Sequence, residues 1–257
     1  MRSRVGQLAV EITRPESAKF RHPLLLLHGR WTGAWIWERL APLLAHRGWE
    51  SWAPSLLEAA VPESFEAALD CIEGVARAMP AAPILLTHDT GLTFGTALSA
   101  HVEAPALVGL APFVPGPSPI GRGLIRIWPE RWRRARVPPP RGSAAAALVG
   151  RAAEARRRLV ADSGPVLRAL AAGRVAISPA SNRPGLLLAG EQDPISPPAA
   201  IAALAERFGW EVRCYAAHGH LMQLEHGFEQ IGADLHRWII RALGADLLAL
   251  LEDAGES

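Results

Sequence analysis

The chain has one tyrosine, two cysteines and a single lysine, and each scarcity removes a class of function. Cys71 and Cys214 fit no metal or redox spacing, and two cysteines are too few for a disulfide scaffold. Tyr215 is the only phenol, so proton transfer by a set of tyrosines is unavailable to this sequence. Lys19 is the only lysine among 27 basic residues. With Ala, Pro and Gly abundant, that bias reads more simply as a coding preference than as a binding device. Charge of either sign is also lacking: 27 basic against 25 acidic residues leaves +2, which favours no nucleic acid or other polyanion. No apolar run approaches the ~20 residues that span a bilayer. The start, Met1-Arg2-Ser3-Arg4-Val5-Gly6, has no apolar stretch behind its charges and makes a poor secretory signal. The expectation is a reduced, cytoplasmic protein with no metal, no cofactor and no membrane, its oligomeric state open.

What is present is a pattern of short apolar runs alternating with amphipathic stretches. At 257 residues and 49% hydrophobic content, one sizeable α/β core with an insertion fits the length. An edge strand is expected over Val5–Thr13, and a strand buried on both faces over Pro23–Leu27. A helix is expected from Trp35 to His46, a strand over Trp49–Ala53, and an amphipathic helix over Pro62–Met79 carrying Phe65, Ala68, Leu69, Ile72 and Val75 on one stripe. A strand over Ile84–Thr87, a helix to Ala100 and a strand over Ala106–Val114 follow. From Pro115 the composition turns to Pro, Gly and clustered arginines, and 143–173 is Ala- and Arg-rich and reads as helical. Alternation resumes with a strand at Gly185–Ala189, a helix over Pro197–Phe208, a strand over Glu211–Ala216 and a helix from Glu225 to Leu243. The fold class is therefore α/β, a mostly parallel sheet flanked by helices. The expected division is a discontinuous core, 1–115 and 182–257, and an inserted helical cap, 116–181.

In open α/β sheets, ligands bind beyond the carboxyl ends of the strands. His28, Asp89, Asp193 and His220 all fall at such ends. Ile84-Leu85-Leu86-Thr87-His88-Asp89-Thr90-Gly91 has the strand–turn–helix layout of a nucleophile elbow, with a carboxylate at the lifted position. Gly190-Glu191-Gln192-Asp193 closes a later strand on an acid, and Ala217-His218-Gly219-His220 offers an imidazole before the last helix. The loop Pro115-Gly116-Pro117-Ser118 supplies no carboxylate, which favours Asp193 as the acid. His218-x-His220 lacks a third ligand at metal spacing.

Leu24-Leu25-Leu26-Leu27-His28-Gly29 with Gly33-Ala34-Trp35-x-Trp37, the elbow, Gly190-x-x-Asp193 and Gly219-His220 together resemble the α/β-hydrolase superfamily. The resemblance covers the chain apart from the cap. It implies a catalytic triad of Asp89, His220 and Asp193 acting on a small-molecule substrate. It also implies an oxyanion hole drawn from the amides of Arg30 or Trp31 and of Thr90. His28 is expected to brace its loop and to line the substrate pocket together with Trp128 and Trp132, four residues apart on one helical face. Asp at the elbow resembles haloalkane and haloacetate dehalogenases and epoxide hydrolases. An ionised carboxylate needs no base to attack an sp3 carbon, and the resulting alkyl ester is hydrolysed by water that a histidine activates.

Three departures shape the expectation. Thr87 stands where a small glycine is usual, a modest steric strain. Thr90 and Arg30 replace the Trp and Asn that hold halide in haloalkane dehalogenases, although Arg30, Trp31, Trp128 and Trp132 carry N–H groups that could hold a halide or a carboxylate. The absence of cap tyrosines counts against epoxides. The leading expectation is a dehalogenase-like hydrolase. The alternatives are a non-hydrolytic, cofactor-free lyase or oxygenase with His220 as base, and a catalytically silent ligand-binding homologue.

Overall fold

The structure is a computed structural model that describes residues 1–58, 61–113, 134–175, 177–178, 183–244 and 247. Its centre is an eight-stranded sheet built from β1 (Arg2–Val5), β2 (Leu8–Thr13), β3 (Leu24–Leu27), β4 (Ser51–Ser55), β5 (Ile84–His88), β6 (Leu107–Leu110), β9 (Gly185–Gly190) and β10 (Glu211–Tyr215). The spatial order is β1-β2-β4-β3-β5-β6-β9-β10. β1 and β2 are antiparallel, as are β2 and β4, and all pairings from β4 to β10 are parallel. The single edge strand expected over Val5–Thr13 is thus a hairpin. Gly6, with φ of 55°, makes a turn that the alternation on either side did not reveal.

The helices cover both faces because the central strands are apolar on both. In β3, Leu24 and Leu26 face one side with α1 (Leu40–His46) and α7 (Phe228–Leu243). Leu25 and Leu27 face the other with α2 (Phe65–Arg77), α3 (Gly91–Leu98) and α6 (Pro198–Phe208). Successive side chains in a strand point to opposite faces, so a run of four leucines requires two cores. The expected helix from Trp35 divides into a 3-10 turn (Ala34–Trp37) and α1. Trp31, Trp35 and Trp37 are all buried, and Trp35 and Trp37 join the α1–α7 core.

Between β6 and β9 the described chain forms β7 (Arg136–Val137), α4 (Gly142–Val149), a 3-10 segment (Ala153–Arg158), β8 (Asp162–Ser163) and α5 (Gly164–Ala171). β7 and β8 pair antiparallel, separate from the main sheet. The 143–173 stretch is therefore two helices around a bent connector. Gly150 (φ 54°) stops the first, and Ser163, whose Oγ accepts from the Val166 amide, caps the second. A small cluster of Trp31, Val137, Leu148, Leu167 and Ile195 joins this insertion to the loops above the sheet. Trp128 and Trp132 lie outside the described residues. No helix among the described residues is long and apolar enough to cross a membrane.

Candidate active site

β5 delivers Asp89 into the turn before α3 with φ of 52°, a left-handed conformation that costs a non-glycine residue about 1–3 kcal/mol. Two glycines make room for that turn. A Cβ on Gly29 would stand 2.5 Å from Asp89 Cβ and 2.8 Å from its Oδ2, so only glycine lets the loop after β3 touch the elbow. A Cβ on Gly95 would stand 2.9 Å from the Thr87 methyl. The crowding expected of Thr87 is relieved there, and its hydroxyl donates to the Val108 carbonyl at 2.8 Å.

Asp89, Asp193 and His220 meet in space. Nδ1–H of His220 donates to Asp193 Oδ2 at 2.8 Å, while Asp193 Oδ1 accepts the amides of Ile195 and Ser196 at 2.7 and 3.1 Å. That fixes the tautomer, leaving Nε2 of His220 3.9 Å from Asp89 Oδ1 and without a hydrogen-bond partner among the described residues. Burial lowers the basicity of His220, but the carboxylates of Asp193 and Asp89 outweigh it and raise its pKa above the usual imidazole value.

Glu225 holds the histidine loop in place. It accepts from the Gly219 amide at 2.7 Å and from the Arg151 amide at 3.0 Å. His88 lies edge-on to His220, ring centroids 4.8 Å apart, and donates Nε2–H to the His220 carbonyl at 3.0 Å. His218 stays nearby with both ring nitrogens buried and unpartnered among the described residues. His28 braces its loop: Nδ1–H donates to the Gly29 carbonyl at 2.9 Å, and Nε2 accepts the Leu56 amide at 3.0 Å.

Arg30 does more than supply an amide. Its backbone N–H donates to Asp89 Oδ2 at 3.0 Å, Nε donates to the same oxygen at 2.8 Å, and Nη2 donates to Oδ1 at 2.7 Å. Both groups are buried, and the Phe113 ring lies 4.6 Å from the guanidinium carbon. Burial alone would raise the Asp89 pKa, yet the Arg30 charge and hydrogen bonds reverse this and hold it below the ordinary carboxylate range. Sequence reasoning offered Arg30 as a holder of a substrate carboxylate or halide. The carboxylate it holds is that of Asp89.

The amide of Trp31 meets a second acid, Asp162, whose Oδ2 accepts it at 2.8 Å. Trp31 has φ of 55°, and a left-handed residue in a loop turns successive amides toward a common side. Asp89 and Asp162 therefore sit on the consecutive amides of Arg30 and Trp31. No sequence signal marked Asp162, which lies in a stretch read as Ala- and Arg-rich helix. Its Oδ1 accepts the Ser163 amide at 2.6 Å, and burial pushes its pKa up to about 6.

A narrow cleft of about 20 Å³, room for about one water, opens beside these groups. Its lining brings His28, Arg30, Thr90 and Asp162 together with the apolar side chains of Leu57, Phe94, Val166 and Leu170. Asp89 and His220 are not in the wall. Arg30 lines the cleft, and its guanidinium pairs with the buried Asp89.

A strained elbow, a His–Asp pair and a donor loop, each at a strand end of one parallel sheet, make a specific arrangement. The model of the alpha/beta hydrolase family matches residues 24–233, from the His-Gly strand to the last helix. The chain belongs to the alpha/beta hydrolase family. This family member is similar in structure to a thermophilic esterase from Thermogutta terrifontis, with 20% identity, 94% of this chain and 99% of that one covered, and a TM-score of 0.70. It is also similar to a monoacylglycerol lipase of Paleococcus ferrophilus (17% identity, 92% and 100% covered, TM-score 0.71). A methylesterase from Arabidopsis aligns at 15% identity over 85% and 98%, with a TM-score of 0.66. At such identities the likeness establishes the fold. A search of curated proteins finds no match to the chain.

The buried histidines predict how stability depends on pH. Burial lowers the His28 pKa from 6.5 to about 4. It also lowers the His88 pKa to about 3, with the neighbouring His220 adding to the effect. A neutral His28 accepts the Leu56 amide through a lone pair that protonation would remove. The folded protein binds fewer protons at these sites than the unfolded chain, so stability present above pH 6.5 is lost as pH falls through 4. Asp162 acts oppositely, because its folded pKa is raised and its ionisation between pH 4 and 6 is destabilising. His28→Gln is expected to flatten the acid side of the stability profile. Relative to its own value at pH 7, it should retain about 3 kcal/mol more than the parent near pH 4. Urea denaturation at both pH values measures this, and parallel profiles would refute it.

Proposed function

We propose that this protein is a hydrolase in which Asp89 attacks an sp3 carbon of a small, largely apolar substrate and forms an alkyl-enzyme ester that water then cleaves. The observation that carries the reading is how the two Asp89 oxygens are placed. Oδ2 rests on the Arg30 amide, and Oδ1 is the oxygen nearest His220 Nε2, at 3.9 Å. In a serine enzyme the donor loop stabilises an oxygen of the substrate. With an aspartate nucleophile the oxyanion forms on the enzyme's own carboxylate, when water adds to Cγ of the ester. An amide already seated on Oδ2 is what that step needs, and a preorganised donor there is worth several kcal/mol.

Each residue has one task. Arg30 keeps Asp89 ionised and must release Oδ1 when substrate enters. Oδ1 displaces the leaving group. His220 then takes a proton from water through Nε2, Asp193 stabilises the imidazolium, and the proton passes to the departing alkoxide. The apolar side chains that line the cleft suit contact with a hydrocarbon body.

The guanidinium over Oδ1 supports a second reading, a silent homologue in which the salt bridge has replaced catalysis. One experiment separates the two. His220→Gln is incubated with haloalkanes and epoxides, and the intact protein is weighed. A stable adduct that peptide mapping places on Asp89 supports the nucleophile. Absence of any adduct across the panel, with parent and variant equally inert, supports the silent homologue.

A further inference from the structure

The geometry points to Asp162 as a further catalytic residue, a general acid that protonates the leaving atom, which makes that atom an oxygen and the substrate a strained cyclic ether. This rests on the proposed attack by Asp89. Asp162 comes from β8, in the insertion between β6 and β9, and lines the cleft together with His28, Arg30 and Thr90. Its carboxyl sits on the amide next to the one that holds Asp89, which puts acid and nucleophile on one short loop. The hydrogen bonds to Asp162 come from two backbone amides, and among the described residues it forms no ion pair. Among the described residues, the charges of Arg30 and Asp89 act on it, His28 shares the cleft wall, and Arg136 and Arg168 lie on the strand and helix next to it. Arg30 lowers its proton affinity and Asp89 raises it, while burial dominates in favour of the neutral acid.

A second acid is costly to a halide-releasing site and useful to an oxygen-releasing one. A halide departs without a proton and is held by N–H donors, whereas an ionised Asp162 would repel it. The Trp31 indole, offered from sequence as such a donor, packs among Val137, Leu148, Leu167 and Ile195 and is not in the cleft wall. An ether oxygen departs as an alkoxide and needs a proton. A carboxyl with a pKa near 6 is matched to giving one around neutral pH.

The step balances. Asp89 Oδ1 bonds to a ring carbon, the carbon–oxygen bond breaks, and its electron pair stays on the oxygen, which takes the Asp162 proton. The products are a hydroxyalkyl ester on Asp89 and an ionised Asp162. Water activated by His220 cleaves the ester at Cγ, releasing a diol. The proton set free by ionisation of the regenerated Asp89 acid restores Asp162. The absence of cap tyrosines therefore does not exclude cyclic ethers, since Asp162 fills the role they would play.

The test compares 1,2-epoxyhexane with 1-bromohexane, two probes of equal chain length, in the His220→Gln background where adducts accumulate. Adding Asp162→Asn should slow adduct formation from the epoxide by about 100-fold or more, while the bromide rate is unchanged or rises as the repelling charge is removed. With Asp162 intact, the epoxide rate should fall as pH rises above about 6. That fall should vanish in Asp162→Asn. Equal slowing of both probes would reveal a merely structural role, and the bromide rate itself reports an intact site. Adducts from the bromide alone would overturn the acid role and leave the Asp89 nucleophile standing. No adduct from either probe would remove the nucleophile and, with it, this step.

Discussion

Asp89→Asn is expected to abolish turnover of any substrate the enzyme processes, by roughly 10⁴-fold or more, because removing a covalent nucleophile leaves only binding and the oxyanion donors. His220→Gln should differ in kind. It leaves Asp89 paired with Arg30 and able to be alkylated, so the first half-reaction survives and the second slows by about 10²–10⁴. A stoichiometric burst followed by near silence is the expected record. The oxygen balance adds an independent readout. Water adds to Cγ, so the bond between Cγ and Oδ1 breaks, and Oδ1 leaves with the product. A single turnover in oxygen-18 water should therefore label Asp89, leaving the released alcohol unlabelled. Label in the alcohol alone would mean that water attacked the substrate directly, with His220 as its base. That result would overturn the covalent role proposed for Asp89.

Arg30→Met is expected to be the most damaging substitution to stability. Removing one partner of a buried ion pair strands the other charge, at a cost of about 3–5 kcal/mol. Asp89 has three hydrogen bonds from Arg30, of which the side chain provides two. Without the guanidinium, burial becomes the dominant influence on Asp89 and favours the protonated acid. Activity should therefore fall at neutral pH and recover in part as pH rises and Asp89 ionises. Arg30→Lys should lie between, since an ammonium keeps the charge but cannot match a carboxylate with two parallel bonds. The double variant Arg30→Met, Asp89→Asn removes both charges, and its destabilisation should be well below the sum of the single ones. Strict additivity in urea melts would mean that the two side chains do not hold each other as described.

How much of this was legible beforehand follows the range of the interactions. Leu24–Leu27, Ile84–His88 and Gly185–Gly190 could be read as buried strands because burial on both faces writes itself as an unbroken apolar run. Asp89, Asp193 and His220 could be read because each ends a strand of a parallel sheet, and such a sheet brings its strand ends together whatever the connections do. The hairpin at Gly6, the division of the Trp35 helix and the bend inside 143–173 were hidden. Gly6 and Gly150, single residues with positive φ, decide the first and the last of these, and periodicity averages over such residues.

The charge pairing around the nucleophile was the least accessible part. Arg30 and Asp89 are 59 positions apart, and Trp31 and Asp162 are 131 apart. No local pattern distinguishes an arginine that awaits a substrate anion from one already bound to a buried aspartate. Nor does composition separate a solvated acid in an arginine-rich segment from one folded over a donor loop. The succession of strands and helices along the chain and the motif spacing were set by the sequence itself, because apolar runs and glycine turns act locally. Which oxygen each donor holds, and whether a buried carboxyl is charged, emerged only when the chain closed. Those outcomes depend on burial and on charges far along the chain, and neither exists before the elements pack.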